Sequence, residues 1–310
     1  MAEKENMTQK WQQLLEQSGP ILADGAMGTM LFEAGLQFGD PPEVWNVAHP
    51  DQVRAVHRGY LEAGSKIILT NTFGGSRFRL AMHNLQERVA HLNRTAAVIL
   101  RAEVDAAGTG ALVAGDIGPS GEILAPLGSL EYADAVAGFA EQAAALTGGG
   151  VDVIWIETMS ALEEMHAAIE GVRRVSPGIP LITTMTFDTR GRTMMGVTPE
   201  QAYKALSEWG AAAIGGNCGN GPDELLAVVK KMHAVASPDT VLVAKSNAGI
   251  PKLVNGKAAY LCEPQEMGGY SRQVREAGAR IIGGCCGNTP AHLKAMAESL
   301  GIKDAEGTRQ

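Results

Sequence analysis

Arg280-Ile281-Ile282-Gly283-Gly284-Cys285-Cys286-Gly287 is a β-branched run that opens into a glycine-framed pair of cysteines. Upstream, Gly215-Gly216-Asn217-Cys218-Gly219 has the same form, an apolar run followed by glycines and a cysteine. Each stretch reads as the end of a buried strand entering a loop. Three thiolates meeting at strand ends would make an all-cysteine zinc site with its fourth position open, as a catalytic zinc requires and a structural one lacks. Such a metal would bind a small thiol, keep it as thiolate and leave it nucleophilic. The glycines suit this reading, because they let the backbone approach a metal-bound ligand closely. Taken alone, Cys218 also fits a small apolar packing residue. Cys262 lies in a polar segment without such a frame and reads as a bystander.

Outward from these two stretches, eight strand-like runs recur: Pro20–Asp24, Lys66–Thr70, Ala111–Gly115, Val153–Glu157, Leu181–Thr186, Ala211–Gly215, Val241–Lys245 and Arg280–Gly284. Most are continuously apolar, as expected of parallel strands covered on both faces. Between them lie helical patterns at Asp51–Ala63, Arg88–Ala106, Tyr132–Gly148, Ala161–Val175 and Glu200–Trp209. Alternation through eight units predicts an α/β fold of the (β/α)8 TIM-barrel type rather than an open doubly wound sheet. The expected organisation is one barrel domain over residues 1–310, with a capping helix in 1–18 and a frayed tail over about 301–310.

In such barrels the active site lies at the C-terminal ends of the strands. Those positions hold Asp24, Thr70-Asn71-Thr72, Asp116, Glu157, Thr184, Asn217-Cys218, Ser246-Asn247 and Cys285-Cys286. One acidic residue at a strand end is often only a helix cap. Polar residues on nearly every strand end, above apolar strand bodies, point to a site. Cysteines on the sixth and eighth strands would face the same mouth.

Composition excludes several classes. The net charge is −8 and only 5% of residues are aromatic, which argues against a nucleic-acid partner. No apolar run approaches the ~18 residues that cross a membrane. Four cysteines, two of them adjacent, do not suggest a disulfide framework. Met1–Lys10 is charged and polar with no apolar signal region, so a cytoplasmic location is expected.

Asp24-Gly25-Ala26-Met27-Gly28-Thr29 is a glycine-rich turn into a helix, without the Gly-Lys-Ser/Thr of a phosphate loop. Exposed N–H groups at a helix start also suit a carboxylate, such as that of an amino acid. Asp24 and Glu157 are then candidate acceptors for an α-ammonium. The simpler alternative is a tight βα turn, with Glu157 capping the next helix.

The chain resembles the homocysteine S-methyltransferase family over nearly its whole length. The resemblance is carried by Asp24–Thr29, Thr70-Asn71-Thr72-Phe73, Gly115-Asp116-Ile117-Gly118-Pro119-Ser120-Gly121, Glu157-Thr158, Gly216-Asn217-Cys218, Asn247-Ala248-Gly249 and Gly283–Gly287. It implies a (β/α)8 barrel with Zn2+ on Cys218, Cys285 and Cys286 and homocysteine sulfur as the fourth ligand. It also implies that Asp24 and Glu157 contact the homocysteine ammonium, with Gly25, Asn217 and the loop around Asn71 nearby.

In detail the chain is most similar to bacterial betaine–homocysteine methyltransferases, through Pro42–Asn46, Thr72–Gly75, Phe187–Gly196 and Asn247–Lys252. A quaternary ammonium donor favours aromatic faces. Trp45 and Phe73 are the candidates, with Tyr260 behind them. Animal betaine enzymes carry a tyrosine where this chain has Gly74-Gly75, a departure at the donor site. The expected reaction is methyl transfer from betaine, or a related methylated amine or sulfonium, to homocysteine, forming methionine. The alternative is the homocysteine-methylating component of a corrinoid system, with a separate methylcobalamin protein as partner, since the chain has no room for cobalamin or folate domains. A non-catalytic thiol sensor is the third reading. The loop Asp188–Gly196 is a candidate lid, which favours a small donor. Quaternary structure, a homo-oligomer included, stays open, as does the choice between homocysteine and selenohomocysteine.

Overall fold

The computed structural model describes residues 2–254 and 257–302. Its centre is a ring of eight parallel strands: β1 (Ile21–Leu22), β2 (Ile67–Leu69), β3 (Leu112–Ile117), β4 (Val153–Met159), β5 (Leu181–Met185), β6 (Ala213–Cys218), β7 (Leu242–Ser246) and β10 (Ala279–Gly284). A small antiparallel hairpin, β8 (Lys252–Val254) and β9 (Lys257–Ala259), is inserted before the last of them. The strands pair in the order β1-β10-β7-β6-β5-β4-β3-β2. A parallel bridge between Ala23 and Ile67 joins the two ends, and the Lys66 amide donates to the Leu22 carbonyl at 2.7 Å. The fold is the (β/α)8 barrel expected from the alternation of runs.

Each expected run overlaps one of these strands, and β3, β4, β6 and β7 run on past it. The sixth run, expected to end at Gly215, keeps Gly216 in the ladder and continues to Cys218. Gly215 is a packing requirement there: a Cβ would sit 1.9 Å from the Val243 carbonyl oxygen.

Eight helices cover the outside: Pro50–Glu62, Val89–Ala107, Tyr132–Gly148, Leu162–Val175, Pro199–Glu208, Pro222–His233, Pro264–Glu276 and Pro290–Leu300. Five begin on proline, whose missing N–H and preset φ suit a first helical turn. The strands are buried on both faces, and their side chains alternate with period two. Leu22, Ile68, Val113, Ile154, Ile214, Leu242 and Ile282 pack outward against the helices. Ile21, Ile67, Leu112, Ala114, Val153, Trp155, Ile182, Ala213, Val243 and Ile281 fill the inside.

The first helix, Ala2–Glu16, adds Trp11 and Leu14 to that inner layer. Lys10 bonds Asp152 at 2.8 Å, just before β4, and Arg280 of β10 donates to the carbonyls of Leu15 and Gln17. These contacts lie at the N-terminal ends of the strands, so the helix closes that mouth. The expected frayed tail, from 303 on, lies outside the described residues. Among the described residues no helix is long and apolar enough to cross a membrane.

Candidate active site

The same alternation assigns the residues at the open end. Two positions beyond the inward-facing Ala114, Trp155, Gly215, Val243 and Gly283 stand Asp116, Glu157, Asn217, Lys245 and Cys285. Together with Cys218 and Cys286 they gather at the C-terminal mouth, around a cavity of about 510 Å³.

The sulfurs of Cys218, Cys285 and Cys286 all lie within 4.8 Å of one another, and those of Cys218 and Cys285 are 2.8 Å apart. Zinc–sulfur bonds of about 2.3 Å in a tetrahedron set sulfurs roughly 3.8 Å apart, so the trio is spaced to hold one ion. The thiol protons are distributed unequally. Hydrogen bonds from Cys218 and Cys285 pull Cys286 down to about 3. The bond to Cys285 pushes Cys218 well up. For Cys285 the bond from Cys218 pulls down, but donation to Cys286 and burial prevail and leave it at about 12. Each thiol's ionisation is thus set by its neighbours in the trio, and a divalent cation would let all three ionise. Tyr260 is a neighbour that also helps to hold the Cys286 thiol down.

The backbone under the cysteines is constrained. Cys218 has φ +57° and Thr158 has φ +63°, both in the left-handed region, which is an outlier for a β-branched residue. Thr158 sits where the β4–β5 register shifts between Ile156 and Met159. Asn217 fastens it: its Oδ1 accepts from the Thr158 amide at 2.9 Å and its Nδ2 donates to Thr158 Oγ1 at 2.7 Å. That Nδ2 also lies 3.6 Å from Cys218 Sγ and 3.9 Å from Cys285 Sγ. Asn217 therefore lies beneath the cavity and ties Glu157-Thr158 to the cysteines. Gly25 is required by contact, since a Cβ would lie 2.7 Å from both the Asn288 carbonyl oxygen and the Tyr60 ring. At Gly287, with φ +81°, a Cβ would lie 2.2 Å from the Tyr260 ring.

The three carboxylates differ in their partners. Asp24 accepts from Lys245 Nζ at 2.7 Å on one oxygen and from the Leu69 amide at 2.8 Å on the other. Both members of this ion pair are buried, and Lys245 Nζ lies 5.1 Å from the Trp155 ring centroid. Among the described residues, Glu157 meets only the Asn217 amide, at 3.5 Å, and one carboxylate oxygen of Asp116, Oδ1, is buried without any partner. Burial pushes all three upward, Glu157 to about 8, while the Lys245 charge opposes the shift at each. Asp116 is raised further by the charge of Glu157.

Of the residues singled out from the sequence, Asp24, Gly25, Asn71, Phe73, Glu157 and the three cysteines line this one cavity. Asn71 is held by Pro42 and Asn46: its Nδ2 donates to their oxygens at 2.7 and 3.1 Å. Phe73 is 37% exposed and shows its ring to the cavity. Trp45 does not line the cavity. It is packed in the core with its ring 4.4 Å from that of His49, because a short turn of helix, Trp45–Ala48, directs it inward. The Asp188–Gly196 loop is not a cavity wall either, and its Met194 is 71% exposed to solvent. The outer wall comes instead from Phe38–Glu43 and from Arg79, Met82 and His83. Lys245 was counted as strand body and Asp116 only as one polar strand end. Period-two counting from the inner apolar layer is the signal that places both in the mouth.

Comparison with known proteins agrees with this geometry. A family model described as homocysteine S-methyltransferase matches residues 21–300. The methionine synthase of Mycobacterium tuberculosis (strain ATCC 25618 / H37Rv) is 33% identical over 295 residues, covering 90% of this chain and 24% of that protein. The methionine synthase of Mycobacterium leprae (strain TN) is 32% identical with the same coverage. The chain thus spans about a quarter of the length of these relatives. The crystal structure of the homocysteine methyltransferase MmuM from Escherichia coli, in its metallated form, superimposes with a TM-score of 0.78 at 25% identity, covering 93% of this chain and 99% of that one. Its oxidized form gives 0.77 at 24% identity. With a matching model over nearly the whole barrel and three clustered cysteines at its mouth, the chain belongs to the homocysteine S-methyltransferase family.

Proposed function

We propose that this protein transfers a methyl group from a small onium donor, betaine foremost, to the sulfur of homocysteine, with Zn2+ held by Cys218, Cys285 and Cys286. The observation that carries this reading is that three sulfurs and two poorly partnered carboxylates line a single cavity of about 510 Å³. That volume lies in the range of small-molecule sites. Bound zinc would acidify the substrate thiol, whose ordinary pKa of about 8.5 leaves little thiolate at neutral pH.

The remaining work falls to the chain's own side chains. Carboxylates at the mouth hold the amino group, the first turn around Gly25 faces the amino-acid carboxylate, and the exposed ring of Phe73 offers a face to a methylated cation. The methyl group passes in line from nitrogen (or sulfonium sulfur) to thiolate sulfur. The donor keeps the electron pair and leaves neutral, so no proton transfer accompanies the step and positioning supplies most of the rate.

The test is methionine formation from homocysteine and betaine by zinc-loaded, reduced protein. Turnover with betaine alone supports a self-sufficient enzyme. Similarity to two methionine synthases favours a second reading, in which a separate methylcobalamin protein brings the methyl group to this mouth. Zinc and homocysteine binding without betaine turnover would select that reading or another methylated donor. A protein that holds zinc but binds no homocysteine would sink both.

A further inference from the structure

We infer that the methyl donor is a zwitterion, an onium with a carboxylate a few bonds away, and that Arg79 receives that carboxylate. This rests on the reading of the cavity as the site of an onium donor. Among the described residues, Lys245 and Arg79 are the lysine and arginine side chains that line the cavity. Lys245 is engaged by Asp24 at 2.7 Å. Among the described residues the guanidinium of Arg79 forms no ion pair, although Asp40 and Glu43 stand in the same wall. On the same short helix, Arg77–Ala81, Arg77 pairs with Glu141 at 2.7 Å, while Arg79 is half-buried and turned to the cavity. A planar fork of donors in a cavity wall, without an acid of its own, suits a carboxylate that arrives with a ligand.

The support beneath Arg79 connects it to the aromatic face. The loop Gly118-Pro119-Ser120-Gly121 follows β3. The Gly118 amide donates to the Phe73 carbonyl at 3.1 Å, and a Cβ at Gly118 would lie 2.6 Å from the Phe73 ring. At Gly121, with φ +82°, a Cβ would lie 3.0 Å from Arg79 Nη1. Ser120 is anchored between them, its amide and hydroxyl both donating to Glu164 Oε1, at 2.8 and 2.5 Å. One fixed loop therefore backs both the exposed ring and the free guanidinium. Its two glycines are three residues apart, a span of at most roughly 11 Å. A cation within ~6 Å of a ring centroid and a carboxylate oxygen about 2.8 Å from a guanidinium nitrogen fit on that scale when a short zwitterion such as betaine joins them.

The carboxylate takes no part in the chemistry. The bond from the methyl carbon to the onium nitrogen breaks with its electron pair going to nitrogen, and the carbon–sulfur bond forms from the thiolate. The donor leaves as an uncharged amine that still carries its carboxylate. Arg79 therefore holds ground state and transition state alike, and sets the donor KM rather than kcat. It is a specificity residue, selecting carboxylated onium donors over those with an uncharged tail.

The test follows methionine formation from homocysteine by zinc-loaded, reduced protein with three donors. These are betaine, its sulfonium counterpart dimethylsulfonioacetate, and choline, which has the trimethylammonium group of betaine and a hydroxyl in place of the carboxylate. In kcat/KM betaine should exceed choline by at least about tenfold, the yield of one charge-assisted hydrogen bond. Arg79→Gln should remove most of that ratio by raising the betaine KM, and Arg79→Lys should restore part of it. Where choline turnover is too slow to time, the betaine KM decides. Equal use of betaine and choline by the unsubstituted protein overturns the inference and leaves the onium reading standing. So does a betaine KM that Arg79→Gln leaves in place. A rise in the homocysteine KM alone would assign Arg79 to the acceptor and also overturn it. No methionine from any of the three, with zinc and homocysteine bound, removes the onium reading and this inference with it.

Discussion

At the N-terminal end of the barrel, Trp11 and Leu14 press onto an inner layer of Ile21, Ile67, Leu112, Val153, Ile182 and Ile281. At the C-terminal end, barrel strands finish in Asp116, Glu157, Asn217, Lys245 and Cys285 around an open cavity. The closed end buries apolar surface and pairs its charged groups, as with Lys10 on Asp152 and Arg280 on the carbonyls of Leu15 and Gln17. The open end contains an orphan acceptor, a pair of buried carboxylates, two left-handed non-glycine residues and crowded sulfurs. Each of these raises the free energy of the fold, as strained and unpaired groups at a binding mouth do. The difference separates the part of the barrel that sustains folding from the part that sustains binding.

The largest test of this division is Cys286→Ala. It should remove zinc and lower methionine formation about a thousandfold, the equivalent of several kcal/mol of metal-derived stabilisation. The circular dichroism spectrum should stay that of a folded barrel. Retained zinc and turnover would break the assignment of the open end.

Next comes Lys245→Met, which leaves Asp24 buried without its cation and should cost about 3–5 kcal/mol in urea unfolding. Adding Asp24→Asn should recover most of the loss, because the uncompensated charge is then gone. A Lys245→Met protein of unchanged stability would show that the ion pair is not a structural element of the mouth.

Trp11→Ala addresses the closed end and should cost about 3 kcal/mol through lost burial and a cavity. Homocysteine affinity and zinc content should not change. A change in affinity larger than the assay error would mean that the two ends are coupled through the inner layer.

The smallest effect comes from the barrel wall. His57 is fully buried with neither ring nitrogen partnered, and burial lowers it to about 3 from its ordinary value near 6.5. Between these values the unfolded chain takes up a proton that the folded one refuses. Its contribution to stability is therefore complete above pH 6.5 and falls as pH drops toward 3. The loss is about 1.4 kcal/mol per pH unit, so pH 5.5 should cost roughly that much. The slope should persist in Cys286→Ala and vanish in His57→Leu, which distinguishes wall titration from acid release of metal at the mouth.

Much of this molecule is legible in its sequence. Apolar runs of strand length alternating with amphipathic segments are a local property, and they locate all eight strands and five of the covering helices. The cysteine trio was legible because glycine frames and strand ends are both visible in one dimension. Trp45 and the Asp188–Gly196 loop were not, since whether an aromatic or a loop reaches a cavity depends on the direction in which a short turn sends it. β6 ends three residues beyond the expected Gly215, because glycine suggests a loop by propensity, whereas Gly215 here answers the closeness of the Val243 carbonyl, 1.9 Å from where a Cβ would stand.

By itself the sequence determined the alternation and the strand ends on which the three cysteines stand. Those follow from local apolar patterning and from chemistry confined to single side chains. Only the tertiary structure decided which carboxylate is already paired. Lys245 and Asp24 stand 221 positions apart, and their 2.7 Å contact arises from closing the barrel. The same closure leaves Asp116 Oδ1 without a partner. A partner, or its absence, is a property of distance in space, and along the chain these three residues look alike as polar ends of apolar strands.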